Sequence, residues 1–254
     1  MTLQATQDEN MRRRRPYHAK RTAQSQAAFL LPHLRPGMAL LDLGCGPGTI
    51  TVGLAAAVAP GVTTGLDVDP QPVEGVSVVT GDATRLPFPD ASFDAIFASA
   101  LLQHLPDPVA ALREARRVAR PGAVIGVVDA DWDGELVYPT NAVLRRAGQL
   151  ARRLREGTSP FVGKRLRHLL TEAGFDRAEG YARAIHHGTP EEVRGVAAFT
   201  ASLFGYPTAV ERAVAHGWAT AAEMEEMSRA WLAWGEEPGA FLARFWCEAI
   251  AWAD

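Results

Sequence analysis

Residues 41–49, Leu-Asp-Leu-Gly-Cys-Gly-Pro-Gly-Thr, constrain this chain more than any other segment. They close an apolar run that begins at Met38, and they open a stretch from Thr49 to Ala59 that Pro60-Gly61 stops. A short apolar run ending at glycine has the form of a buried central strand, and the stretch after it has the form of a helix. Glycines at such a junction let the backbone turn tightly and let a ligand approach without meeting Cβ atoms. Strand, tight glycine turn and helix together open a parallel α/β sheet, whose ligand crevice lies at the carboxyl ends of its strands.

The rest of the chain keeps the alternation. Strands are expected at 62–67, 76–80, 93–98 and 123–129, with a helix at 107–119 that Arg120-Pro121-Gly122 ends. An earlier helix is expected over 18–34. In the second half, helices at 140–155 and 164–173 precede a sixth strand at 181–187. Three more helical stretches follow near 190–204, 207–216 and 220–235. From Phe241 to Trp252, Phe241, Ala243, Phe245, Cys247 and Ala249 alternate with Leu242, Arg244, Trp246, Glu248 and Ile250. That period of two suggests a final strand, with a helix as the other option. No repeat or low-complexity linker interrupts the chain, so one domain is expected.

Composition removes several classes of function. With 254 residues, 47% apolar and 22% charged, the chain can bury one sizeable core. A net charge of −3 gives no electrostatic case for nucleic acid. The basic run Arg12-Arg13-Arg14-Arg15 reads as a solvated end. Polar residues follow it where a twin-arginine export signal would need an apolar stretch. No apolar run approaches membrane-spanning length. Cys45 and Cys247 are the only cysteines and form neither a disulfide framework nor a zinc motif, which fits a reducing, cytoplasmic setting.

Three acids stand at expected strand ends. Asp42 precedes the glycine turn, Asp67 ends the second strand, and Asp82 follows the third within Thr80-Gly81-Asp82-Ala83. A carboxylate in the position of Asp67 can accept from both hydroxyls of a ribose, and one in the position of Asp82 from an adenine amino group. Each alone could equally be a cap or turn residue; at successive strand ends they read as one nucleoside site. Thr49 stands where a G-x-G-x-x-G dinucleotide fingerprint needs its third glycine, and Asp42 would repel a diphosphate, which argues against a nicotinamide oxidoreductase.

On these residues the chain resembles the class I S-adenosylmethionine-dependent methyltransferases, in the ubiquinone/menaquinone-biosynthesis-like small-molecule branch. The resemblance rests on residues 41–49, Gly-Leu-Asp at 65–67, Gly-Asp-Ala at 81–83, Leu-Pro-Phe-Pro-Asp-Ala-Ser-Phe-Asp at 86–94, Leu-Gln-His-Leu-Pro-Asp-Pro at 102–108 and Arg-Val-Ala-Arg-Pro-Gly at 117–122. It implies a Rossmann-like three-layer sandwich whose seven-stranded, mostly parallel sheet has an antiparallel last strand slotted between the fifth and sixth. The segment 241–252 is the candidate for that strand, and the helices of 190–235 for an inserted cap. Within the one domain, 1–37 would be an N-terminal helical segment, 38–135 the cofactor-binding core, and 136–254 the substrate-side helices and last strands.

The resemblance further implies S-adenosyl-L-methionine as cofactor and methyl transfer to the oxygen, nitrogen or carbon of a small-molecule acceptor. Gly44, Cys45 and Gly46 would lie against the cofactor's amino-acid part, with Asp42 near its ammonium. Asp67 and Val68 would lie at the ribose, Asp82 and Ala83 at the adenine. Ser99 to Gln103 would flank the sulfonium and the acceptor.

One departure stands out. Only Val-Asp-Pro-Gln-Pro-Val-Glu-Gly, residues 68–75, separates Asp67 from Val76. Two prolines and a glycine in eight residues cannot make a normal helix, so the connecting helix is expected to be missing, leaving one side of the adenine pocket open or covered by another segment. This keeps alive an alternative in which the fold binds the cofactor but catalyses a cyclisation or only binds.

For an acceptor that holds a proton, His104 is the best-placed base, with Gln103 beside it; the opposite arrangement packs His104 under the loop and faces Gln103 to the pocket. Tyr17 and His18 are expected at the surface. His186 and His187 point to opposite strand faces and are poor joint ligands, so no metal is expected. Asp129, Asp131, Trp132 and Asp133 are expected as a solvated loop after the fifth strand or a lining of the acceptor site. Arg145, Arg146, Arg152, Arg153 and Arg155 read as a solvated helix face, and Ala221, Met224, Met227, Trp231 and Trp234 as core packing. Expected partners are a small molecule, no nucleic acid and no membrane, with a homodimer left open.

Overall fold

The computed structural model describes residues 21–155 and 157–254. The readings placed on residues 12–15, Tyr17 and His18 lie outside the described residues. The first elements are a short helix α1 (Ala23–Gln26), a 3-10 turn (Leu31–His33), strand β1 (Leu40–Leu43), helix α2 (Thr49–Val58), and strands β2 (Thr63–Asp67), β3 (Ser77–Thr80) and β4 (Phe93–Ser99). A 3-10 turn (Leu102–His104) leads to α3 (Pro108–Val118), β5 (Ala119–Tyr138) and α4 (Ala142–Arg153). Then come α5 (Leu166–Glu172), β6 (Glu179–His187), α6 (Pro190–Gly205), α7 (Pro207–Ala215), α8 (Ala221–Trp234) and β7 (Phe241–Ala253).

The strands form a seven-stranded sheet in the order β3-β2-β1-β4-β5-β7-β6, mostly parallel with an antiparallel last strand. β7 lies between β5 and β6, where the alternating segment was expected, and α6, α7 and α8 are inserted between β6 and β7 in the chain. β1 pairs in parallel with β2 and β4, and all four of its residues are buried. This is why its sequence is uninterruptedly apolar except for Asp42. The registers align the carboxyl ends: Leu43 pairs with Leu66 and with Ala98, Asp67 with Thr80, and Ser99 with Val128.

The β2–β3 crossover carries no helix, as the proline content of 68–75 requires. Its Val73 side chain lies against the glycine turn: a Cβ on Gly48 would stand 2.1 Å from Val73 Cγ2. The short link therefore covers part of the turn.

Two expectations are corrected. The helix over 18–34 is absent from its described part, which holds only α1 and the 3-10 turn; Pro32 has no N–H to donate to the Ala28 carbonyl, so an α-helix cannot run through it. The fifth strand is far longer than 123–129. β5 runs from Ala119 to Tyr138, so Asp129, Asp131, Trp132 and Asp133 lie in a strand and not in a loop. Asp129 and Asp131 are buried there, at 1% and 6% exposure, each accepting from backbone N–H groups that offset the cost of burial.

Arg117 on α3 accounts for much of the 86–94 motif. Its guanidinium donates to the carbonyls of Phe88 (2.8 Å) and Leu86 (3.1 Å) and pairs with Glu114 and Asp90. Asp94 in turn accepts from Ala39 N and from Arg120. These contacts clamp the sheet's amino-terminal edge.

The chain forms two compact units. Of the described residues, one comprises 21–131 with 161–183 and 246–254; the other comprises 132–160 and 184–245. The core of the first joins Leu41, Leu43, Leu66, Ile96 and Val127 of the sheet with Leu112 of α3 and Leu169 of α5. The core of the second gathers Leu144 and Leu150 of α4, Phe204 of α6 and Met224, Met227, Trp231 and Trp234 of α8, so the apolar stripe expected there is core from Met224 on, while Ala221 at the start of α8 is exposed. Capping boxes at Thr189–Glu192 and Thr220–Glu223 start α6 and α8. Arg146 pairs with Glu223 at 2.7 Å, and the Arg155 guanidinium lies 3.7 Å from the Trp132 ring centroid.

Candidate functional site

The glycine turn is built by backbone hydrogen bonds that need no side chain. The N–H groups of Gly44 and Cys45 both donate to the Leu66 carbonyl, at 2.7 and 3.1 Å, and Gly48 N donates to Cys45 O at 2.9 Å. Gly44, Gly46 and Gly48 all have positive φ, the region that disfavours any Cβ. Around Gly46 the space is open, with nothing within 4 Å of where a Cβ would stand.

Asp42 sits beneath this turn. It is 2% exposed and accepts from Thr51 Oγ1 of α2 at 2.6 Å. Burial pushes its carboxyl up to about 7, against the Thr51 hydrogen bond and with the Asp67 charge adding to the rise. Its Oδ2 is thereby directed at Thr51 of α2. Cys45 is buried too: a Cβ on Gly65 would meet its Sγ at 2.9 Å, and burial followed by the charges of Asp42 and Asp67 pushes its thiol up to about 12. Only the backbone of Cys45 faces the turn's function.

Asp67 is half-buried and reaches the glycine turn. Its Oδ2 accepts from Gly46 N at 2.9 Å and its Oδ1 from Asp69 N at 3.1 Å, while Val68 beside it is 56% exposed. Gly81 N donates to Asp67 O at 3.0 Å and so draws the next acid close. Asp82 is exposed; its Oδ1 accepts from both Thr84 N and Thr84 Oγ1 at 2.8 Å. Ala83 is buried against the core.

β4 ends in two unusual residues. Ser99 Oγ is buried without a hydrogen-bond partner among the described residues. Ala100 has φ +54°, a conformation costly for a residue with a Cβ and one that clusters at binding sites. In the turn that follows, Gln103 is buried, its N–H donating to Asp129 Oδ2 at 3.1 Å, and His104 is half-buried. Among the described residues no cluster of His, Cys, Asp or Glu could hold a metal, and no helix is long and apolar enough to cross a membrane.

The sheet thus brings the glycine turn, Asp67, Asp82 and Ser99 to one edge, with Asp42 buried one residue before the end of β1. Sequence reasoning undervalued Asp129, whose neighbours Val127, Val128 and Ala130 already mark it as strand. It could not foresee Val73 against Gly48. The arrangement fits an adenosyl sulfonium: an open glycine turn for the amino-acid part, acceptor carboxylates at two adjacent strand ends, and an orphaned hydroxyl at a third.

Comparison with known proteins agrees. A model described as a methyltransferase domain matches residues 41–127. An uncharacterized methyltransferase of Schizosaccharomyces pombe is 32% identical over 62% of this chain and 64% of its own length, so the chain spans less than two thirds of that relative. The demethylmenaquinone methyltransferase of Staphylococcus aureus is 31% identical over 63% of this chain and 78% of its own length. Among solved structures, YcgJ of Bacillus subtilis shares the fold, with a TM-score of 0.57 at 16% identity over 88% of this chain and 96% of that one. Sheet order, strand-end acids, glycine turn and relatives place this chain in the class I S-adenosylmethionine-dependent methyltransferases.

Proposed function

We propose that this chain transfers the methyl group of S-adenosylmethionine to a small-molecule acceptor. The observation that supports the reading most is the convergence of the Gly46 amide on the Asp67 carboxylate at the carboxyl edge of the sheet. When bound, the cofactor supplies an electrophilic methyl carbon on a sulfonium. In this reading Asp67 accepts from the ribose hydroxyls with Val68 alongside, Asp82 accepts from the adenine amino group over Ala83, and the backbone of Gly44, Cys45 and Gly46 takes the amino-acid part. Asp42, buried beside the turn, holds α2 to it through Thr51 and in this reading stands near the cofactor's ammonium.

The chemistry left to the protein is placement and proton handling. Aligning a nucleophile with the methyl carbon away from water can supply several kcal/mol, up to about 7–11. Ser99 Oγ and the Leu102–His104 turn stand on the acceptor side in this reading. An acceptor that holds a proton at neutral pH gives it to His104 Nδ1 or Nε2, and Gln103 orients. Residues 38–135 would serve the cofactor and 136–254 the acceptor.

Calorimetric titration with S-adenosylmethionine, S-adenosylhomocysteine and NAD tests the cofactor. Binding of the first two and not the third is expected; no binding at millimolar dose, or preference for NAD, overturns the reading. Incubation with methyl-labelled cofactor and a panel of small phenols, amines and quinols then tests the reaction. Labelled product with matching S-adenosylhomocysteine is expected. Tight binding with no turnover across the panel would favour a cofactor-binding protein that does not methylate.

A further inference from the structure

The carboxyl end of β5 holds a buried acid that methyl transfer as described does not use. Asp129 is 1% exposed. Its Oδ2 accepts from Gln103 N at 3.1 Å and its Oδ1 accepts from Ala130 N at 3.0 Å, with the dipole of the Leu102 amide adding a smaller favourable contribution. Burial pushes the Asp129 carboxyl up to about 7, opposed by the Gln103 and Ala130 amides and by the charge of Arg21, whose guanidinium lies 4.7 Å from the Trp246 ring centroid. An amide of the 3-10 turn, that of Gln103, therefore points at a buried carboxyl on the neighbouring strand, 26 residues away in sequence. The pairing of Ser99 with Val128 fixes that strand at the level where β4 ends. Hydrogen bonds from N–H groups to a buried carboxylate are stronger than those between neutral groups. Such a carboxylate is a costly choice for mere packing, because an apolar residue would avoid the desolvation.

We propose that Asp129 is a positioning residue: its carboxylate ties the Leu102–His104 turn to β5 and so fixes where Gln103 and His104 stand. The proposal rests on the reading that this turn flanks the reacting centre. Asp131, two residues on, serves a different segment, accepting from Lys164 N at 2.9 Å, and supplies the internal control.

The test uses the whole chain, with S-adenosylhomocysteine as the only ligand. Hydrogen–deuterium exchange is compared in wild type, Asp129→Asn, Asp129→Ala and Asp131→Asn, and histidine resonances are followed by NMR with His104 assigned through His104→Gln. In Asp129→Ala the Gln103 amide, and with it the 102–103 turn, should exchange at least about tenfold faster, as loss of a buried hydrogen bond implies. The His104 signal should shift or broaden while the other histidines stay in place. Asp129→Asn, which keeps one acceptor, should recover part of the protection, and Asp131→Asn should leave the turn as in wild type. Unchanged protection at 102–103, an unmoved His104 signal, or loss of protection spread over the whole sheet overturns the proposal, as does failure of both Asp129 variants to fold. Calorimetry with S-adenosylhomocysteine runs alongside: absent binding in wild type overturns the methyltransferase reading without touching the anchoring result.

Discussion

The backbone N–H of Gly46 donates to the Asp67 carboxylate across 2.9 Å, so the glycine turn and the end of β2 are one assembly and not two separate ligand contacts. Removing the carboxylate should injure both. Asp67→Ala is expected to weaken S-adenosylhomocysteine binding by about 10- to 100-fold, the loss of charge-assisted bonds worth about 1.5–3 kcal/mol. Asp67→Asn keeps one acceptor and should fall between. Calorimetric titration measures both, and equal affinity across the three proteins would remove Asp67 from the site.

Gly48 and Val73 make a second linked pair. Gly48 has φ +76° at the start of α2, and an added Cβ would stand 2.1 Å from Val73 Cγ2. Gly48→Ala therefore carries two costs: the left-handed backbone, about 1 kcal/mol, and displacement of Val73 with its loop, about 1–3 kcal/mol. Val73→Ala should relieve the second cost and leave the first. Chemical denaturation of the two single variants and the double should give a coupling of at least about 1 kcal/mol. Simple additivity would mean that the shortened link does not seat on the turn.

Much of this fold was legible because its signals are local and repeated. The turn at 44–48, the apolar runs before it and at 93–98, and the alternation of 241–252 each specify an element without help from the rest of the chain. β5 was misjudged beyond Asp129 because isolated acids resemble turn residues until the amides of Gln103 and Lys164 are seen to meet them. The strand-end acids of the site were legible as positions, but their directions were not. Asp42 precedes the turn and Asp67 ends the next strand, yet Asp42 Oδ2 accepts from Thr51 of α2 whereas Asp67 Oδ2 accepts from Gly46 of the turn.

Two buried hydroxyls without partners among the described residues separate function from packing. Thr63 Oγ1 lies inside β2, whereas Ser99 Oγ lies at the carboxyl end of β4. Thr63→Val replaces an unsatisfied hydroxyl with a methyl of similar shape and should stabilise the protein by about 1 kcal/mol without altering affinity for S-adenosylhomocysteine. Ser99→Ala should likewise leave the unliganded protein as stable or slightly more so, but lower ligand affinity or acceptor turnover by about 5- to 10-fold, one neutral hydrogen bond's worth. Thermal melts with and without ligand read both effects. Identical ligand responses in the two variants would assign Ser99 to packing.

Asp42 sets a pH dependence whose sign is fixed. Its native value of about 7 lies above the ordinary 3.8, because burial outweighs the Thr51 hydrogen bond. Between those values the folded protein holds a proton that the unfolded chain has released, so this group's contribution to stability falls as pH rises from about 4 to about 7, and then levels off. Asn in its place remains neutral and can still accept from Thr51 Oγ1. Asp42→Asn should therefore match wild type near pH 4 and exceed it by about 2–4 kcal/mol at pH 8, each pKa unit being worth about 1.4 kcal/mol. Urea denaturation at pH 4, 6 and 8 measures the difference. Should wild type be the more stable protein at pH 8, Asp42 would be ionised in the fold and held by a cation, and the geometry beneath the glycine turn would have to be redrawn.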